Sequence, residues 1–245
     1  MKFIFHSILF LALSLQMATA QKGVTTFGLQ YKPIIPNRFI GTYRQDFNQD
    51  QLVSFVQQKL GHSFGGVVRQ GINRNLSFET GLNLTHRNFG LDFSIPDSNY
   101  AQTGKVSVVS YEIPISCLVY IQLSDRWFIN TSLGAAFTIF SSNVRVQLPI
   151  DGTAETFRME GAYKNKLQGA LLGNVGFEYR TRQSGYFYFG TSYHLPFAPI
   201  ITMAMSYEYH NSNVLSIANV QGSYLTLDFR YFFHERPQGK TPQSK

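Results

Sequence analysis

Ser192-Tyr193-His194 places a hydroxyl and an imidazole two residues apart. In an extended strand residues i and i+2 share a face, so the pair has the residue types of a nucleophile and its base. Such a pair also needs a third group to orient the imidazole, and no carboxylate stands where the spacing alone would supply one. The other histidines past residue 20, His62, His86, His210 and His234, are scattered rather than paired at zinc-ligand spacing. Neither a metal nor a cofactor is expected. Cys117 falls on the outward parity among Ile115 and Val119 and reads as a lipid-facing apolar residue rather than a reactive thiol. The remaining chemistry is charge. Arg69, Glu79, Glu178, Arg180, Asp228 and Arg230 share a strand parity with the small residues Gly28, Gly65, Gly81 and Gly190. Ionisable groups on one face of otherwise apolar strands must pair in a water-poor interior, because an unpaired buried charge is costly. Their first reading is charge compensation; their second is a gate or proton path.

These residues have to be positioned by strands. The chain has 245 residues, 44% hydrophobic and 15% aromatic, and only 14% charged, whereas a globular chain carries about 25%. Such a composition excludes disordered tails and coiled coils, and a single cysteine excludes an intrachain disulfide. The net charge of +7 comes without a basic stripe interleaved with aromatics, so no nucleic-acid partner is expected. Met1 and Lys2 open a short cationic region, Ile4 to Leu15 is apolar, and Ala18-Thr19-Ala20 offers small residues for cleavage. Residues 1–20 therefore read as a secretory signal peptide, 21–233 as one barrel domain and 234–245 as a polar tail.

Past residue 22 the apolar pattern has period two. Leu225, Leu227, Phe229, Tyr231 and Phe233 alternate with Thr226, Asp228, Arg230 and Phe232, and Leu76 to Thr85 and Leu167 to Arg180 alternate likewise. Further segments run near 24–32, 62–72, 106–123, 127–140 and 186–197, making eight strands. Short links at Asn73-Arg74-Asn75, Ser124-Asp125-Arg126 and Arg182 to Gly185 alternate with long ones near 33–61, 94–105, 141–166 and 198–221. That alternation predicts an all-β, eight-stranded antiparallel up-and-down transmembrane β-barrel of a bacterial outer membrane, with periplasmic turns and external loops. Trp127, Tyr179, Tyr186, Phe187 and Phe233 crowd the strand ends as an aromatic girdle would. A soluble lipocalin-like barrel is the competing reading, and the small, ionisable inner face argues against it.

Tyr111-Glu112-Ile113-Pro114-Ile115 resembles a signature of the PorT-like, porin-family outer-membrane β-barrel proteins, small relatives in shape of OmpA and OmpX. The ending Tyr231-Phe232-Phe233 is similar to the signal read by the barrel-assembly machinery, although a polar tail follows it here. The resemblance implies a structural rather than catalytic motif and, for some relatives, a role in protein secretion. Certain lipid A-trimming barrels use His and then Ser at a similar spacing; the order here is reversed.

An eight-stranded barrel leaves an interior that side chains just fill, so a wide pore is not expected. If the first short hairpin turns about Arg74, residues whose numbers sum to 148 face each other, which sets Arg69 opposite Glu79. Arg87 and Glu112 sit nearer the long-loop end. In the first long loop Leu52, Val53, Phe55, Val56 and Leu60 fit a short amphipathic helix within Asp46 to Leu60, and Met203, Met205, Tyr207 and Tyr209 alternate in the fourth as a strand would. Arg38, Arg44, Lys59, Lys164 and Lys166 could meet lipopolysaccharide. The sequence thus points to a monomeric, non-enzymatic outer-membrane barrel of structural or surface-interaction type. Its partners would be outer-membrane lipid, the barrel-assembly machinery and a loop-bound extracellular ligand. A narrow or gated channel is the alternative, and a lipid A hydrolase built on Ser192 and His194 the third reading.

Overall fold

A computed structural model describes residues 24–36, 43–73, 75–141, 143–149, 156–209 and 212–234. Residues 1–20, the tail beyond His234, Arg38, Arg74 and His210 lie outside the described residues. The strands are β1 (Thr25–Pro36), β2 (Arg44–Gln49), β3 (Leu52–Gly71), β4 (Leu76–Ile95), β5 (Tyr100–Gln122), β6 (Trp127–Phe140), β7 (Val144–Pro149), β8 (Thr156–Ala162), β9 (Leu167–Arg180), β10 (Tyr186–Pro196), β11 (Ile201–Tyr209), β12 (Ser212–Val220) and β13 (Tyr224–Phe232). Eight of them, in the order β1, β3, β4, β5, β6, β9, β10, β13, are each paired antiparallel to the next, and β13 pairs back to β1. The ring has no free edge, and a strand arrangement can cross a membrane only on that condition.

Alternation assigns the two faces. On β5, Tyr111, Ile115, Val119 and Ile121 point outward and are 38–57% exposed, while Glu112, Ser116, Leu118 and Tyr120 point inward and are buried. At a rise of about 3.4 Å per residue and a tilt near 40°, Tyr111 to Ile121 covers about 26 Å of membrane normal, the height of an outer-membrane apolar belt. The girdle at the short-turn end pairs Trp127 with Tyr179, Phe187 with Tyr231, and Tyr231 with Phe233. Tyr186 is not part of it. Its even number puts it on the inner face of β10 with Tyr188, packed against the buried cluster of Val67, Tyr188 and Phe232.

The long-loop end is built of strands. The helix expected within Asp46 to Leu60 is instead the β2–β3 hairpin, with Asp50 at φ 51° in its turn. Leu52, Ser54 and Val56 are buried, whereas Val53 and Leu60 are 42% and 69% exposed. The apolar residues therefore lie on both faces of one strand rather than on one helical stripe. Arg44 covers Phe55, its guanidinium 3.7 Å from the ring centroid. A register shift between Lys59 and His62 changes which residues of β3 face inward, from even numbers over Leu52 to Gln58 to odd numbers over Ser63 to Arg69. The second long loop, expected over 94–105, shrinks to a 3₁₀ turn at Pro96–Ser98 with Asn99 at φ 54°. Asp and Asn are among the few non-glycine residues that tolerate this left-handed conformation. The third and fourth loops contribute β7, β8, β11 and β12, which form a second sheet in the order β12, β11, β8, β7; β12 lies beside β2 and β7 beside β5. As the alternation of the fourth loop predicts, Met203, Met205 and Tyr207 are buried, and they join Phe157, Met159, Phe89, Phe93 and Phe140 in one apolar cluster.

That cluster holds the extension together. Phe157 is fully buried and stacks on Phe93 at 5.1 Å. Phe157→Ala should cost the extension about 3–5 kcal/mol. Protease added to intact cells should then cleave between residues 141 and 221 faster than in the unmodified chain, while the boiled-versus-unboiled gel shift of the barrel persists.

Candidate functional site

Inward-facing side chains fill the short-turn half of the ring with charge. Arg69 on β3 stands directly across the hairpin from Glu79 on β4. Its Nε and Nη2 donate to Glu79 Oε2 at 3.1 and 3.0 Å, and its Nη1 donates to Glu178 Oε2 on β9. Arg180 Nε donates to the other oxygen of Glu178 at 2.7 Å. Arg230 on β13 donates to Glu79 Oε1, and its second amino group reaches Asp228 Oδ2 at 2.7 Å. The six residues form one connected set drawn from β3, β4, β9 and β13. Charge-assisted bonds are stronger than neutral ones, and all but Arg180 are nearly or wholly buried.

Asp228 collects partners that sequence spacing did not join to it. Ser192 Oγ donates at 2.5 Å, Thr226 Oγ1 at 2.6 Å and Asn174 Nδ2 at 3.1 Å, and Lys32 Nζ stands 3.7 Å away. The parity of Gly28 could have found Lys32, two pleats further along β1. Tyr188 OH donates to Asn174 Oδ1 at 2.7 Å, and its hydroxyl occupies the space that a Cβ on Gly176 or Gly190 would take. The two glycines are what let a tyrosine lie across the lumen.

A second polar group lies nearer the long-loop end. Tyr224 OH donates to Glu112 Oε2 at 2.8 Å, and His194 Nδ1 is 3.4 Å from the same oxygen, its ring stacked on Tyr224 at 4.3 Å. Arg87 donates to the Gly222 carbonyl at 3.2 Å. These side chains border a void of about 10 Å³, roughly what a single water needs, directly beneath the apolar cluster at Ile200 and Phe140. Ser192 and His194 both face the lumen and are 1% exposed. A carboxylate does stand beside the imidazole, which the spacing did not reveal, but the Ser192 hydroxyl is committed to Asp228. Cys117 points outward and is exposed. No grouping of three or more potential metal ligands occurs among the described residues.

Removing one buried partner leaves the others uncompensated. Glu79→Gln should cost about 3–5 kcal/mol, read as a lower temperature at which the compact gel band is lost. Arg145→Gln is the contrast: it breaks the 3.0 Å pair with Glu160, whose side chains are 67% and 56% exposed, and should change stability by less than about 1 kcal/mol.

The sequence profile of a family described as "Outer membrane protein beta-barrel domain" matches residues 25–202. No curated protein matches the chain. Among solved structures it is similar to the outer membrane protein OprG from Pseudomonas aeruginosa, at 12% identity over 88% of this chain and 99% of that one, with a TM-score of 0.49. AlkL, solved in DMPC lipid bilayers, is similar at 12% identity over 89% and 93% of the two chains, with a TM-score of 0.46. The Escherichia coli Outer Membrane Protein W follows at 10% identity over 88% and 100%, with a TM-score of 0.39.

Proposed function

We propose that this chain, which belongs to the outer membrane protein beta-barrel domain family, is a closed, non-enzymatic barrel that acts through its extracellular extension as a surface-interaction protein. The family places it in the bacterial outer membrane. The observation that carries the reading is the filling of the lumen: ion pairs occupy the short-turn half, and an apolar cluster seals the long-loop half above a void the size of one water. A continuous water path would have to break both zones. The extension supplies surface that a partner could use, with Val53, Leu215 and Ile217 42–61% exposed, and Lys59, Lys164 and Lys166 exposed and available to anionic lipopolysaccharide. Arg44 is already paired with Asp46 at 2.8 Å. Residues 1–20 act as a cleaved export signal, the last strand is read by the barrel-assembly machinery, and the closed ring works as a monomer.

The chain reconstituted in a planar bilayer should give no discrete conductance steps above the lipid baseline. Steps that Glu79→Gln or Arg230→Gln enlarge or abolish would establish the gated-channel alternative instead. Lipid A profiles should be the same in cells carrying Ser192→Ala as in cells carrying the unmodified chain; a lost species would establish the hydrolase.

A further inference from the structure

Arg180 differs from the rest of the ion-paired set. Its side chain is 33% exposed, and only Nε is used, on Glu178 at 2.7 Å. Among the described residues its two terminal amino groups have no hydrogen-bond partner. Three rings frame the guanidinium: Phe128 at 4.0 Å, Tyr120 at 5.1 Å and Tyr186 at 5.4 Å from their centroids. Ring faces hold a cation in place without neutralising it. The guanidinium borders a recess of about 430 Å³ at the short-turn mouth, which is periplasmic in outer-membrane barrels. Tyr120 lines the same recess; the residue is 4% exposed, and its buried hydroxyl oxygen has no hydrogen-bond partner.

The charge count points the same way. In the short-turn network Lys32, Arg69, Arg180 and Arg230 face Glu79, Glu178 and Asp228, so one positive charge is uncompensated. Arg180 is where that charge meets solvent. The described turn residues around the mouth add Arg126 and Arg182 against Asp125.

We propose that this recess binds a carboxylate. The two free amino groups of Arg180 grip its two oxygens, and the Tyr120 hydroxyl donates a third hydrogen bond. A guanidinium fork matches the planar carboxylate, and one surplus charge matches one carboxylate, whereas a phosphate dianion would call for a second. The ligand is the side chain of an acidic peptide. It comes either from the segment of this chain after His234, which carries Glu235, or from a separate periplasmic polypeptide. The site lies at the opposite end from the extracellular surface and stands whether or not that surface binds a partner.

The test uses the full chain folded in detergent micelles and a fluorescent Ala-Glu-Glu-Ala peptide with blocked ends, followed by anisotropy at low salt. Saturable binding is expected, weakened about tenfold in the Gln-for-Glu peptide and in Arg180→Gln. Tyr120→Phe keeps the ring and loses only the hydroxyl, and should weaken binding about fivefold. Arg182→Gln, in the turn beside the mouth, should change it less than about twofold. Each variant is first shown to keep its unboiled gel shift. If Glu235 is the natural occupant, Glu235→Gln will tighten binding of the added peptide; if the ligand is separate, binding will not change. Three results would overturn the proposal: no saturable binding to either the unmodified chain or Glu235→Gln, equal affinity for the two peptides, or unchanged affinity in both Arg180→Gln and Tyr120→Phe.

Discussion

The Glu79 carboxylate accepts from Arg69 on one oxygen and from Arg230 on the other, and the lower half of the barrel is arranged around that double use. A carboxylate removed from water is tolerable only when its lone pairs are occupied, and here the occupants arrive from strands on either side of the β1 closure. Each guanidinium then needs a second anion. Arg69 finds Glu178 and Arg230 finds Asp228, which extends the set to β9 and across β13. The pairing works only when the ring is closed, because β3 and β13 meet through β1 alone. The ion pairs therefore specify closure as well as filling the space that closure creates.

Above the ion pairs the filling changes character. Glu112, Tyr224 and His194 form a polar layer, and beyond them the interior is apolar. The extension seals this apolar zone with two sheets that touch at β2 with β12 and at β5 with β7. Main-chain ladders close the lower barrel, but side chains close these two seams of the extension. The long-loop end of the molecule is thus the part whose closure depends on packing.

Much of this was legible in the sequence. Period-two alternation gave the eight membrane strands and their inner faces, and the short turn about Arg74 gave the pairing of Arg69 with Glu79. Tertiary burial was less accessible. Leu52, Val53, Phe55 and Val56 satisfy helical spacing as well as they satisfy a strand, and only pairing with β2 and β4 decides between them. The second long loop vanished because β4 and β5 run on past the membrane, and nothing local to 94–105 marks where the lipid ends. Partners distant in sequence, such as Ser192 with Asp228 or His194 with Glu112, depend on how deep each residue sits on its strand, which parity alone does not give.

The claim on which all this depends is that the lumen is filled rather than open, and solvent access to inward-facing serines measures it. In a Cys117→Ser background, cysteines placed at Ser63, Ser110 and Ser116, which are 0–4% exposed, would be treated with a charged, membrane-impermeant thiol reagent from each side of the membrane in turn, with a cysteine at exposed Ser124 as the reactive control. The filled barrel predicts that the control reacts from the periplasmic side while the three lumen positions stay unmodified from both sides. Modification at Ser110 or Ser116 at a rate near that of the control would mean that water and ions traverse the barrel, contradicting the account.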